Sequence, residues 1–373
     1  VSLSRSLETA ALTLLAFARL AAQQPDNPPQ PLVLSGQYQG VHDPSIGFDH
    51  GTYYIFATGA AYPTRPPAPG DAESTQAHPP QPQFAIRCSE DLHQWRRCGA
   101  VFPAIPAWIQ QTSPKTTELW APDVSFFDGV YHLYYAFSLF GKNTSGIALA
   151  TNETLDPKSP RYQWIDYGLV LRSTVADDFN AIDPNLVLDQ NGEAWLSFGS
   201  FWGGIKMRHL DRRTGRLSTT DTTLYSLASR GKDAELGPRK PGLPPDSEAI
   251  EAPFVIRHEG YFYLFVSYDL CCRGLKSTYH TMVGRSKSVT GPYVDRDGKP
   301  MMDGGGSALL TANDKWLGPG GESLLQQPGK DDLIVFHAYS AVDGHPALHI
   351  STIGWKDGWP SAALEGDGRT PLP

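Results

Sequence analysis

The sequence predicts an all-β chain and, within that class, a five-bladed β-propeller. Three observations carry this expectation. One motif recurs five times, at intervals of about 60 to 80 residues. Each copy holds two apolar runs, most of them broken by a turn signal, which is the pattern of a hairpin. No stretch has the period of a long amphipathic helix.

The first copy, HDPSIGFDHGTYYIFATG, starts at His42 and turns at Asp49-His50-Gly51. The second, WAPDVSFFDGVYHLYYAFS, starts at Trp120 and turns at Asp128-Gly129. The third, IDPNLVLDQNGEAWLSFGS, starts at Ile182 and turns at Gln190-Asn191-Gly192. The fourth, EAPFVIRHEGYFYLFVSYD, starts at Glu251 and turns at Glu259-Gly260. The fifth, GESLLQQPGKDDLIVFHAYS from Gly321, is the weakest. The rest of each period has room for two more strands, as in FAIRCSEDLHQWRRC, GIALATN, GIKMRHLD and HTMVGRSKSV. Four antiparallel strands make a blade, and five blades close a ring without open edges. One catalytic propeller over 35–365 is expected, with surface loops at 61–83 and 221–250. A β-sandwich is the rival fold, but it leaves the repeats as coincidence.

Residues 1–24 read as a secretory signal, so the protein is expected outside the cell. A short apolar stretch follows Arg5, and the small residues Ala21 and Ala22 precede a polar, Pro-rich segment. Glu8 and Arg19 interrupt the pattern, which leaves a plain N-terminal tail as the alternative. No segment is long enough to span a membrane.

Of 373 residues, 40% are hydrophobic and 19% charged, the balance of a folded globular chain. The formal charge of -8, with no basic block, argues against nucleic acid as a partner. A neutral polymer such as a polysaccharide is compatible with it. Sixteen Tyr, nine Trp and sixteen Phe offer rings for sugar faces, although most are expected in the core. Cys88 and Cys98 could close a small loop. The adjacent Cys271 and Cys272 could form a vicinal disulfide or stay as thiols; neither pair has zinc spacing. Asn143-Thr144-Ser145 and Asn152-Glu153-Thr154 are glycosylation sequons.

In a propeller, residues at the same place in successive repeats face one another across the axis. Asp43, Asp183 and Glu251 open copies one, three and four, so separations of 140 and 68 residues become proximity. Asp123 comes two positions later in copy two and is expected near the site without a catalytic role. Singly, an Asp before Pro reads as a turn residue. Three acids meeting at one axis cost energy, which implies a use for them. Paired carboxylates are the equipment of glycoside hydrolysis: one protonated donor and one ionised partner, with a third acid free to tune the donor. No G-x-S-x-G, no H-E-x-x-H and no phosphate-cradling loop competes with this reading.

HDPSI (42–46), ELWAPDV (118–124), AIDPNLV (181–187), SFGSFWGGI (197–205), IEAPFVI (250–256), SYDLCCRG (267–274), STYHTMVGRSKSVTGPY (277–293) and FHAY (336–339) together resemble glycoside hydrolase family 43, specifically its endo-1,5-α-L-arabinanases. The resemblance runs from about residue 35 to 360 and implies a five-bladed propeller that hydrolyses arabinan with inversion. By its motifs Asp43 would be the general base, Glu251 the general acid, and Asp183 the group that raises and orients Glu251. His337 would help bind a central ion, usually calcium, with waters supplying most of the shell. Trp120, Phe201 and Trp202 are candidate stacking surfaces, and Asn185 and Ser200 candidate partners for sugar hydroxyls. His42 and Asp123 complete the expected substrate-binding set. The protein is expected to be a monomer with no organic cofactor. An exo-arabinanase, an α-L-arabinofuranosidase or a β-xylosidase of the same fold is the alternative, and a non-catalytic carbohydrate-binding propeller the remote one.

Overall fold

The computed structural model describes residues 28–60, 81–230 and 248–368. The expected signal at 1–24 and most of the 61–83 loop lie outside the described residues. The chain forms a five-bladed β-propeller. A two-residue strand, β1 (Ser35–Gly36), precedes the blades. Blade I is β2 (Ser45–Asp49), β3 (Thr52–Phe56), β4 (Gln83–Ser89) and β5 (Gln94–Phe102). Blade II is β6 (Trp120–Phe127), β7 (Val130–Phe137), β8 (Gly146–Asn152) and β9 (Ile165–Arg172). Blade III is β10 (Asn185–Leu188), β11 (Ala194–Phe198) and β12 (Ile205–Asp211), with β13 (Arg216–Leu217) and β14 (Tyr225–Ala228) both paired to β12. Blade IV is β15 (Ile250–His258), β16 (Tyr261–Tyr268), β17 (His280–Ser286) and β18 (Ser307–Leu310). Blade V is β19 (Trp316–Leu325), β20 (Leu333–Ser340) and β21 (Pro346–Thr352).

Of the loop expected over 221–250, residues 231–247 lie outside the described residues, and Tyr225–Ala228 forms the strand β14 instead. Leu227 and Ala228 are buried in the core, and Tyr225 meets Trp195 edge-on, so this stretch pays the cost of ordering with packing.

The inner hairpins follow from their turn residues. His50-Gly51, Asp128-Gly129 and Glu259-Gly260 all have positive φ at both positions, which gives the tight turns whose twist matches paired strands. Five separate hydrophobic clusters hold the ring, one at each junction between neighbouring blades. Between blades II and III, for example, Leu149 and Tyr134 pack with Leu196 and Phe198.

The repeats are visible in the backbone itself. Asp43, Ala121, Asp183, Ala252 and Gly321 occupy one slot at or just before the innermost strands, and all have φ between 44 and 61°. Two residues on, side chains link four of the five blades to the next. Ser45 Oγ accepts from Val124 N at 2.9 Å, Asp123 Oδ2 from Leu186 N at 2.9 Å, and Asn185 Oδ1 from Val255 N at 2.9 Å. Ser323 Oγ accepts from Ile46 N at 3.3 Å and ties blade V to blade I. Phe254 stands at the same place in blade IV and has no polar atom to offer.

Blade V is completed by the N-terminal segment. Leu32 N donates to Ile350 O and Thr352 N to Gln30 O, while Leu348 N donates to Tyr38 O and Gly40 N to Pro346 O. Between these contacts the same segment bulges onto blade I, where β1 pairs in parallel with β5. The buried Arg87 guanidinium donates to the carbonyls of Gln37, Gln39 and Gly40 and fastens it there. The first and last blades are therefore sewn together by one segment of chain.

Cys88 and Cys98 are bonded across β4 and β5, and Cys271 is bonded to Cys272. Both sequon asparagines are buried. Asn143 Nδ2 donates to the carbonyls of Thr174 and Asp177, so it is not available for a glycan in the folded protein.

Candidate active site

The innermost strands converge on a cavity of about 500 Å³, lined by residues of all five blades. Asp43, Asp183 and Glu251 all reach it, as do His42, Trp120, Ser200, Phe201 and Trp202. The three acids are not in one register. Asp43 and Asp183 share a slot, whereas Glu251 precedes its slot residue Ala252 by one and pairs with Ser267 of β16.

Each acid has its own partners. Thr58 Oγ1 donates to Asp43 Oδ2 at 2.7 Å and accepts from Ala121 N. Ala252 N donates to Asp183 Oδ2 at 3.2 Å. Glu251 accepts two hydroxyls, Ser200 on Oε2 at 2.6 Å and Tyr279 on Oε1 at 2.7 Å. Burial, then the charges of Glu251 and Asp43, push the Asp183 carboxyl well above the usual carboxylate range. Burial also pushes Glu251 up; the two hydroxyls oppose this and the Asp43 charge adds to it. Asp183 and Glu251 therefore hold protons at pH values where isolated carboxyls are ionised.

The aromatic candidates sit on the wall. Trp120 starts β6. Phe201 and Trp202 form a turn after β11, both with positive φ, fixed by Phe201 N donating to Ile250 O and Gly204 N to Phe201 O. Ser200 lines the cavity, but its hydroxyl is committed to Glu251. Asn185 and Asp123 do not line it. Both are buried, with Asn185 Nδ2 donating to Asp123 Oδ1 at 3.0 Å, and both serve the inter-blade links. Asp123 instead borders a smaller axial cavity below the first, with the five slot residues and Glu322. Glu322 is buried, takes hydroxyls from Ser267 and Thr281 on Oε2, and is pushed up to about 7 by burial.

His337 is fully buried beside Asp43. Asp43 N donates to its Nδ1 at 3.2 Å, and its Nε2 shares a hydrogen bond with the Tyr339 hydroxyl at 3.2 Å. His42 lies 4.7 Å away, ring to ring. Ligand atoms of His42, Asp43 and His337 all fall within 4.8 Å of one another, so this cluster can hold a metal ion. Burial drives His337 well down and also lowers His42, which keeps both imidazoles in the neutral, ligating form.

Sequence reasoning missed Tyr279, Thr58, Glu118 and Tyr339, all of which line the cavity or donate to an acid. A signal existed for Thr58: it lies two residues past Phe56, as Ser200 lies two past Phe198, each at the end of a second blade strand. Tyr279 follows a loop of irregular length and had no such marker.

Comparison with known proteins agrees with this geometry. The family model "Glycosyl hydrolases family 43" matches residues 33–360. An extracellular exo-α-(1→5)-L-arabinofuranosidase of Cellvibrio japonicus is 40% identical over 324 residues, 86% of this chain and 85% of that protein. An extracellular endo-α-(1→5)-L-arabinanase of Bacillus subtilis is 42% identical over 275 residues, 73% of this chain and 78% of that protein. Among solved structures, a Cellvibrio cellulosa α-L-arabinanase complexed with arabinohexaose superposes with a TM-score of 0.76 at 37% identity, covering 90% of this chain and all of that one (100%). A Bacillus licheniformis endo-arabinanase superposes with a TM-score of 0.73 at 39% identity, covering 88% and 99%. Three acids and three partner hydroxyls around one axial cavity, in a chain matched over residues 33–360, make this protein a glycoside hydrolase that belongs to glycosyl hydrolases family 43.

Proposed function

We propose that this protein is a secreted, monomeric endo-arabinanase that hydrolyses internal 1,5-α-L-arabinofuranosidic linkages with inversion, using one propeller domain over 35–365. Asp43 is the general base that activates water, Glu251 the general acid that protonates the leaving oxygen, and Asp183 the group that keeps Glu251 protonated. The observation that carries this is the different setting of the acids on one cavity. Glu251 is held by Ser200 and Tyr279 and pushed up by burial, as a proton donor requires. Asp43 is held from another side by Thr58. Asp183 is raised by burial and by the charge of Glu251, so ionisation of one of these two carboxyls opposes ionisation of the other.

Trp120, Phe201 and Trp202 give the furanose rings apolar faces to stack on. His337, with His42 and Asp43 alongside, would hold a calcium ion whose remaining ligands are waters. When bound, that ion supplies positive charge beside Asp43, which favours the ionised base. Titration with EDTA should lower both the melting temperature and the rate, and added calcium should restore them.

An exo mode is the second reading, favoured by the exo-acting name of the Cellvibrio japonicus relative. Incubation with linear 1,5-α-L-arabinan decides between them. Mid-sized oligomers appearing early support the endo mode, and a single short product released from the outset supports the exo mode. Asp43→Ala and Glu251→Ala should each lose nearly all turnover on either reading. Retention of activity by either would overturn that residue's role.

A further inference from the structure

The bond between Cys271 and Cys272 joins neighbouring residues. It closes no length of chain, so the loop-entropy stabilisation that most disulfides provide is absent. What it can supply is local shape and surface. Both cysteines line the large cavity, and Cys272 is exposed rather than packed in the core.

The surrounding loop is fixed in place. Cys272, at φ 65°, donates its N–H to the Tyr339 hydroxyl at 2.8 Å. Arg273 N donates to Ser277 Oγ at 3.0 Å, and Thr278 N to Leu270 O at 2.9 Å. A Cβ on Gly274 would meet the Gly344 carbonyl oxygen at 3.3 Å, so the loop also rests closely on blade V. A non-glycine residue held at positive φ in a site-lining loop is the kind of local cost that functional surfaces retain.

Its position defines what it faces. The loop leaves β16 just beyond Ser267 and Tyr268, the strand partners of Glu251 and Ile250. It returns at Tyr279, which donates to Glu251. The disulfide therefore lies where blades IV and V meet, between the segment that carries Tyr279 and the Tyr339 hydroxyl, which also reaches His337 and His42. Two linked sulfurs form a flat, polarisable, apolar surface with no hydrogen-bond donor. Such a surface matches the C–H face of a furanose ring.

We propose that the Cys271–Cys272 disulfide is a sugar-contacting surface of the cleft where blades IV and V meet. This rests on the arabinan reading above. The test compares wild type with the Cys271→Ser/Cys272→Ser double variant on linear 1,5-α-L-arabinan, measuring kcat, KM and the pH profile. The expected result is a KM raised about five- to tenfold, the scale of one lost apolar ring contact, with kcat and the alkaline limb of the profile held. An unchanged KM overturns the proposal. So does a fall in kcat with a displaced alkaline limb, because the disulfide would then act only by holding Tyr279 against Glu251. If the double variant does not fold, wild type is reduced until alkylation and peptide mapping find Cys271 and Cys272 as thiols with Cys88–Cys98 intact, and is then reoxidised; KM must rise and fall back. A wild type inert on arabinan sinks the substrate reading and this inference with it. An active wild type indifferent to the disulfide sinks this inference alone.

Discussion

Tyr279→Phe is the most discriminating single change at the site. It removes one oxygen and keeps the ring that packs against Gly320. The lost hydroxyl donates to Glu251 Oε1 at 2.7 Å. Burial and nearby carboxylates raise the Tyr279 phenol well above its ordinary value, so it remains a neutral donor at any working pH. A hydrogen bond to a carboxylate favours the ionised form and is worth roughly 1.5–3 kcal/mol. At 1.36 kcal/mol per unit, its loss would raise the Glu251 pKa by at most roughly one to two units. Ser200 still donates to the other oxygen, and water can replace part of the lost bond, so about one unit is expected. The sign follows from the role of the group. A general acid works while protonated, so activity falls as pH rises through its pKa, and raising that pKa moves the alkaline limb of kcat/KM upward. The assay is kcat/KM on arabinan across pH, together with the melting temperature. An alkaline limb that stays put or moves down would refute both the proton-donor role of Glu251 and the control of it by Tyr279.

Glu322→Gln should stabilise the protein above neutral pH. Burial lifts this carboxyl from 4.5 to about 7. Between those values the folded protein keeps a proton that the unfolded chain has released, so stability falls as pH rises through this window. Glutamine removes that loss, and denaturant unfolding at pH 8 should favour the variant by about 1–3 kcal/mol, with the advantage shrinking towards pH 5. Asn185→Ala should destabilise by about 2–4 kcal/mol, seen as a lower melting temperature, because it leaves Val255 N and Asp123 short of buried partners. Gly36→Val should cost about 2–3 kcal/mol in thermal unfolding, since its Cβ would sit 2.3 Å from the Trp95 carbonyl oxygen at φ 79°.

The ring was legible because its local chemistry repeats. Asp128-Gly129 and Glu259-Gly260 announce tight hairpins, and the acid or small residue before Pro marks the start of an inner strand. The same frame brought Asp43, Asp183 and Glu251 together across long separations. Less legible was which polar side chain faces the cavity and which faces a neighbouring blade. Asn185 lies two residues from Asp183, yet its amide is spent on Asp123 and Val255, a choice set by the pleat and by the adjoining blade. Ser200 was placed at the cavity but not against Glu251, because that contact crosses from blade III to blade IV. Tyr225–Ala228 was hidden by polar neighbours such as Asp221 and Thr223, and its pairing with β12 and packing on Trp195 are tertiary contacts that the local sequence does not display.

The N-terminal strand that completes blade V has a consequence for how the chain is made. Its contacts span the molecule, with Gln30 meeting Thr352 across 322 residues. During synthesis this segment emerges before the five blades, and its partner edge emerges after blades I to IV. Blades I to IV can fold in succession as they appear, while one end of the chain waits with unpaired backbone groups and exposed Leu32 and Val41. Closure is then a single long-range event that completes the acid-lined cavity, because Asp43 from the first blade meets His337 from the last only when the ring shuts. Activity should therefore appear late and all at once in refolding, after most strand content has returned.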